Sequence, residues 1–142
     1  MAGDFIAKVE IVVNAPVERV WDALVNPDII KQYLFGTEVS SDWKVGSAVV
    51  YRGEWQGRRY EDKGTILELI PNERLVSTFW SSLGGLPDAP ENYNTVTWEI
   101  ENSDSGAKLT LTQDNNPSRE SADHSANNWR MALAKIKELL EA

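Results

Sequence analysis

The sequence predicts an α+β fold, an antiparallel sheet completed by one long C-terminal helix. Two periodicities carry this. Residues 46–113 hold runs of β-branched and aromatic residues that alternate apolar with polar, the two-residue period of a strand with one buried face. Residues from about 118 to 140 repeat apolar positions at the helical period instead. A chain of 142 residues, 42% of them hydrophobic, can bury one substantial core, so a single domain over residues 1–142 is expected.

The first element, FIAKVEIVV (5–13), alternates with Phe5, Ala7, Val9, Ile11 and Val13 on one side. Next comes APVERVWDALVNPDIIKQYLFG (15–36). Proline is tolerated in a helix's first turn, where the donor it lacks would be unpaired, so Pro16 reads as a start signal. Val17, Val20, Trp21, Leu24 and Val25 then share a face, with Glu18, Arg19 and Asp22 opposite. Asn26-Pro27 ends this helix, because the residue before a proline is pushed out of helical geometry. Pro27 can open a second short helix carrying Ile29, Ile30 and Tyr33.

Strands are expected at GSAVVYR (46–52), GTILELI (64–70), RLVSTFW (74–80), NTVTWEIE (94–101) and AKLTLTQ (107–113). Val96, Trp98 and Ile100 fall on one face, as do Leu109, Leu111 and Gln113. Short links such as PNE (71–73) and NSDSG (102–106) allow neighbouring strands to pair as an antiparallel meander. Alternation lets only one of Phe79 and Trp80 point inward. Residues 81–93, SSLGGLPDAPENY, form the longest irregular segment, readable as a flap or as an exposed connection.

Pro117-Ser118 starts the final helix. Its inward stripe is Ala122, Ser125, Ala126, Trp129, Ala132, Leu133, Ile136 and Leu140. The later half has the bulk to fill a core, whereas the earlier half has alanine and serine. There the helix either touches the sheet closely or faces a space.

Charge and composition narrow the function classes. Twenty-two acidic residues against 14 basic ones give a net charge of −8, with no basic patch, which disfavours nucleic acid and anionic membranes as partners. The absence of cysteine removes disulfides, thiolate nucleophiles and thiolate metal sites. One histidine, His124, is poor metal ligation by itself, and no nucleophile elbow of the G-x-S-x-G type occurs. No catalytic residue, cofactor or metal is therefore assigned. No secretory leader or membrane span is visible, so the cytoplasm is the expected compartment.

The order of strand, two short helices, antiparallel strands and long helix resembles the helix-grip fold of the START-like superfamily, which includes polyketide cyclases and birch-pollen-allergen proteins. Within it, APVERVWDAL with NPDIIKQYL (15–34), GTILELIPNERLVSTFW (64–80), the strand from Gly106 to Gln113, and HSANNWRMALAKIKELL (124–140) resemble the homologues of the activator of the heat-shock-protein-90 ATPase. The resemblance implies a curved sheet wrapped around the long helix, with a mainly apolar cavity between them. The bent helical pair would close one end, and Tyr33, Leu34 and Phe35 would help form the mouth. Two positions depart from the family pattern, Gln113 where histidine often ends the last strand and Asn128 where glycine often precedes the tryptophan. A proton-transfer role at the strand end is not carried over. Nor is chaperone activation, which the resemblance ties to a separate amino-terminal domain that is not expected here.

A ligand cavity is expected to draw on Tyr33, Phe35, Tyr51, Trp55, Phe79, Trp80, Trp98, Gln113, Ala122, Ser125, Ala126 and Trp129. Aromatic walls bury large areas and hold flat ligands, though the same residues also serve as ordinary core. Gln113, on the face of Leu109 and Leu111, either bonds neighbouring polar groups or meets a ligand's polar atom. His124 lies off the inward stripe and is expected at the surface or the cavity rim. Arg52, Glu54, Arg58, Arg59 and Glu61 read as solvated strand edges around a Gln56-Gly57 turn, or as a buried polar cluster. The expected role is binding or transport of a small hydrophobic molecule by a monomer or weak homodimer. The alternatives are a polyketide cyclase- or dehydratase-like enzyme using His124 with a carboxylate, and a module that binds a chaperone or regulator.

Overall fold

The computed structural model describes residues 5–34, 36–82 and 87–141, apart from the side chain of Trp55. In chain order the elements are β1 (Phe5–Val13), α1 (Val17–Val25), α2 (Pro27–Tyr33), β2 (Glu38–Ser41), β3 (Ala48–Trp55), β4 (Arg58–Ile70), β5 (Arg74–Phe79), β6 (Asn94–Ser103), β7 (Gly106–Asn116) and α3 (Arg119–Glu141). Among the described residues seven strands make one antiparallel sheet in the order β1-β7-β6-β5-β4-β3-β2. This is the α+β helix-grip arrangement, with a curved sheet packed on the long helix.

Local chemistry explains most boundaries. Pro16 stands in extended geometry just ahead of α1, which buries Val20, Ala23 and Leu24. Asn26 then caps α2, its side-chain oxygen accepting from the Asp28 amide at 3.0 Å, with Pro27 in the first turn. Ser118 does the same for α3, its hydroxyl accepting from the Ser121 amide at 3.0 Å. Gln56 and Gly57 both have positive φ, 49° and 78°, the geometry of a two-residue hairpin turn between β3 and β4.

Two features depart from the sequence expectation. The four-residue strand β2 has no sequence signal, because EVSS buries one residue, Val39, and is too short to carry an alternation. Strand β4 begins at Arg58 instead of Gly64, since its first half is paired along β3 from Trp55↔Arg58 to Ala48↔Thr65. Its second half pairs with β5, with a register shift between Ile66 and Glu68. Such a bulge bends a strand and increases its twist, so β4 is where the sheet turns. Gly64 sits at this corner. A Cβ there would lie 1.7 Å from the Thr78 carbonyl oxygen, so no side chain fits where β4 approaches β5.

The first and last strands meet side by side, from Phe5↔Asn116 to Val13↔Ala107. Helix α3 packs principally along β1, with further contact to β7, α2 and α1. Ala132, Leu133, Ile136 and Leu140 are buried in the core, as the filled half of the helix predicts. The helical pair α1 and α2 rests on β6, β7 and β2 and closes the other side of the sheet's concave face.

Candidate ligand cavity

A cavity of about 390 Å³ lies where the bent helices, the concave face of β3 to β6 and the middle of α3 converge. Helices α1 and α2 supply Leu24, Ile30 and Tyr33, followed by Leu34 and Thr37. The sheet supplies Tyr51, Tyr60, Asp62, Leu75, Ser77, Phe79, Val96 and Trp98, and α3 supplies Asn128 and Trp129. The wall is thus mainly aliphatic and aromatic, with a few polar groups, the usual make-up of a small-molecule site.

The aromatic wall is ordered by its own contacts. Trp98 and Trp129 meet edge to face at 5.6 Å with planes 84° apart, and Tyr51 meets Phe79 at 6.0 Å and 66°. These geometries set the electropositive ring edge against the electronegative face. The Tyr33 hydroxyl donates to the Ala23 carbonyl at 2.8 Å, which fastens α2 to α1. Burial, with the Tyr51 phenol nearby, pushes the Tyr33 pKa well above the ordinary phenol value. The Tyr60 and Thr37 hydroxyls are hydrogen-bonded to each other across the mouth.

Of the residues expected at a cavity, Tyr33, Tyr51, Phe79, Trp98 and Trp129 are in this wall. Phe35 and the side chain of Trp55 lie outside the described residues. Trp80, Gln113, Ala122, Ser125 and Ala126 are placed elsewhere. Trp80 follows Phe79 and so faces the opposite side of the sheet, stacked on Tyr93 at 6.4 Å, with Lys63 Nζ 5.7 Å from its ring centre. Gln113 is consumed by internal hydrogen bonds. Its oxygen accepts from Trp129 Nε1 at 2.7 Å, and its nitrogen donates to Asn116 Oδ1 at 3.1 Å and to the Ser125 hydroxyl at 3.4 Å. Ala122 and Ala126 are 1% and 6% exposed and outside the wall, in the half of α3 where the Ser125 hydroxyl accepts from Gln113 on β7.

The other sequence candidates resolve simply. His124 is exposed and outside the cavity wall. Arg52 pairs with Glu61 at 2.7 Å in solvent, and Arg58 and Arg59 are exposed. Of the segment 81–93, residues 83–86 lie outside the described residues. The remainder is held to the sheet by Trp80 Nε1 on the Pro87 carbonyl at 3.1 Å and by a Lys63–Asp88 ion pair at 2.6 Å.

The wall residues sequence reasoning missed are the aliphatic Leu24, Ile30, Leu75 and Val96 and the polar Thr37, Tyr60, Asp62, Ser77 and Asn128, above all Asp62. Counting back by twos from the buried Gly64 and Ile66 along β4 puts Asp62 and Tyr60 on the inner face. That alternation was masked by the charged run around them. The Asp62 carboxyl accepts from the Ser82 amide at 3.1 Å and from the Ser81 hydroxyl. Burial raises its pKa, against a smaller lowering by those two hydrogen bonds. Across the strand pair stands Tyr51, whose pKa is pushed up to about 12 by burial and then by the Asp62 charge.

Among the described residues no three His, Cys, Asp or Glu side chains gather to hold a metal. No helix among them is long and apolar enough to cross a membrane. What the wall provides is apolar contact area, two ordered aromatic pairs and one carboxyl.

Solved structures share this architecture. A solution structure of a protein from Cytophaga hutchinsonii is 50% identical, with a TM-score of 0.86 over 99% of this chain and 97% of that one. The Aha1 dimer from Colwellia psychrerythraea is 20% identical with a TM-score of 0.76, covering 96% of each chain. DynU16, of the dynemicin biosynthetic locus, is 21% identical with a TM-score of 0.78 over 98% of this chain and 48% of its own. At these identities the last two share the fold. No curated protein matches the chain. Residues 14–141 match the family described as Activator of Hsp90 ATPase homolog 1-like protein, and the chain belongs to that family.

Proposed function

We propose that this protein binds a small, mainly apolar molecule in the cavity between α2, α3 and the concave sheet, as a carrier or a ligand-responsive partner. The observation that carries the reading is the cavity itself, about 390 Å³ with aromatic pairs held in fixed geometry. Sites for small ligands are commonly of this size and lining. The histidine-dependent enzyme has less support, since His124 is outside the wall.

Magnitudes decide what such a ligand needs. Burying roughly 300 Å² of apolar surface gains about 7 kcal/mol before association costs. Micromolar affinity requires about 8 kcal/mol net. Apolar contact therefore needs help from a polar group in the wall.

The test is titration with 1-pyrenemethanol, an uncharged flat fluorophore, followed by energy transfer from tryptophan. Saturable binding at one site per chain is expected, and Val96→Phe, which puts a ring into the cavity, should abolish it while the melting curve stays cooperative. Binding that does not saturate, or that survives the filled cavity, would overturn the reading. The name of the Colwellia neighbour records a dimer, and a monomer or weak homodimer is the assembly we propose here.

A further inference from the structure

We infer that the cavity selects an amphiphile with a protonated amine at its head, held by the Asp62 carboxylate; this rests on the reading of the cavity as a ligand site. Among the described lining residues Asp62 is the sole carrier of a formal charge, and no lysine, arginine or histidine stands in the wall with it. The groups that share the wall with it are neutral. Tyr51 lies opposite on β3, Tyr60 precedes it on the inner face of β4, Ser77 and Phe79 come from β5, and Tyr33 comes from α2. Its hydrogen bonds from the Ser82 amide and the Ser81 hydroxyl aim the carboxyl without neutralising it.

A carboxylate in an apolar wall without a cation is costly, and a ligand that brings the cation removes the cost. Burial already biases Asp62 toward its protonated form, so an ammonium head would pull its pKa back down on binding. The rest of the wall suits the same ligand. Tyr51, Phe79, Trp98 and Trp129 offer aromatic faces, to which ammonium groups are attracted, and their rings accept the apolar tail. A carboxylate head would meet Asp62 as a like charge. At long range the net charge of −8 attracts cations and repels anions.

Three isosteric probes separate the possibilities: 1-pyrenemethylamine, 1-pyrenemethanol and 1-pyrenecarboxylic acid, titrated into the parent and Asp62→Asn. At neutral pH the amine should bind the parent about tenfold more tightly than the alcohol, with the acid weakest. In Asp62→Asn the amine's advantage should vanish while the alcohol binds as before. An alcohol or acid that binds the parent as tightly as the amine, or an advantage that survives in Asp62→Asn, overturns this inference and leaves the cavity reading standing. If none of the three binds saturably, both fall. Should Asp62→Asn fail to fold, the parent supplies a second measurement, in which the amine's advantage is lost as acid protonates Asp62. An advantage that persists in acid also overturns the inference.

Discussion

The indole N–H of Trp129, midway along α3, donates to the side-chain oxygen of Gln113 on β7 at 2.7 Å. This bond ties the long helix to the last strand and sets the ring that meets Trp98 edge to face. Gln113→Leu removes it and also deprives Asn116 and Ser125 of a partner. Leaving the Trp129 N–H without this acceptor should cost about 1–3 kcal/mol. Urea unfolding measures the loss, and the near-ultraviolet circular dichroism of the tryptophan pair should weaken with it. An unchanged unfolding midpoint would show that the network contributes nothing.

Ala126 is 6% exposed and outside the cavity wall, so Ala126→Leu overfills a close helix-sheet contact and should destabilise the protein by about 1–3 kcal/mol. Leu133→Ala, in the filled half of α3, should cost about 2–5 kcal/mol. Thermal melts of both variants beside the parent give the comparison. If Ala126→Leu keeps the parent's melting temperature, there is room at that position after all.

Gly64→Ala should be worse than Ala126→Leu, although it adds one carbon, because the carbon lies 1.7 Å from a backbone oxygen that cannot rotate away. The expected cost is at least about 3 kcal/mol, in the range reserved for strain or overpacking in a core. The assay is equilibrium unfolding, and a small loss would mean that β4 and β5 can slide apart at the corner.

Asp62 sets a pH dependence whose sign follows from its raised pKa. A carboxyl whose folded pKa lies above its unfolded value favours the fold while protonated, and that contribution is lost as the pH rises through the folded pKa. Asp62→Asn has no such loss. The variant should therefore gain melting temperature relative to the parent on going from acid to neutral pH. The same substitution should lower the Tyr51 pKa from about 12 while leaving it above the ordinary phenol value, because burial is the larger cause. A pH profile parallel to the parent's would remove Asp62 from the balance.

How much of this was legible beforehand depends on the range of the interactions involved. Elements were readable because their signals are local. Pro16, Asn26-Pro27 and Pro117-Ser118 punctuate the helices within a few residues, and two-residue alternation placed Val96 and Trp98 inward whatever the partner strand. The family resemblance added the grip of sheet on helix, with Tyr33 at the cavity, and the reading of aromatic residues as a wall added Tyr51, Phe79, Trp98 and Trp129. Other features needed the folded chain. Ala122, Ser125 and Ala126 suit a close contact or an empty space equally well, and the choice was made by the pairing of β1 with β7, from Phe5↔Asn116 to Val13↔Ala107, with α3 packed along β1. Gln113 could have faced a ligand until Trp129, Asn116 and Ser125 converged on it. Asp62 sat in a charged run that reads as surface, and became the carboxyl of the cavity because β4 bends between β3 and β5. Periodicity is a property of neighbours along the chain, and so the sequence determined which side chains share a face. What fills the space in front of that face depends on strand order and sheet curvature, which come from pairings between distant residues and are decided by the tertiary structure.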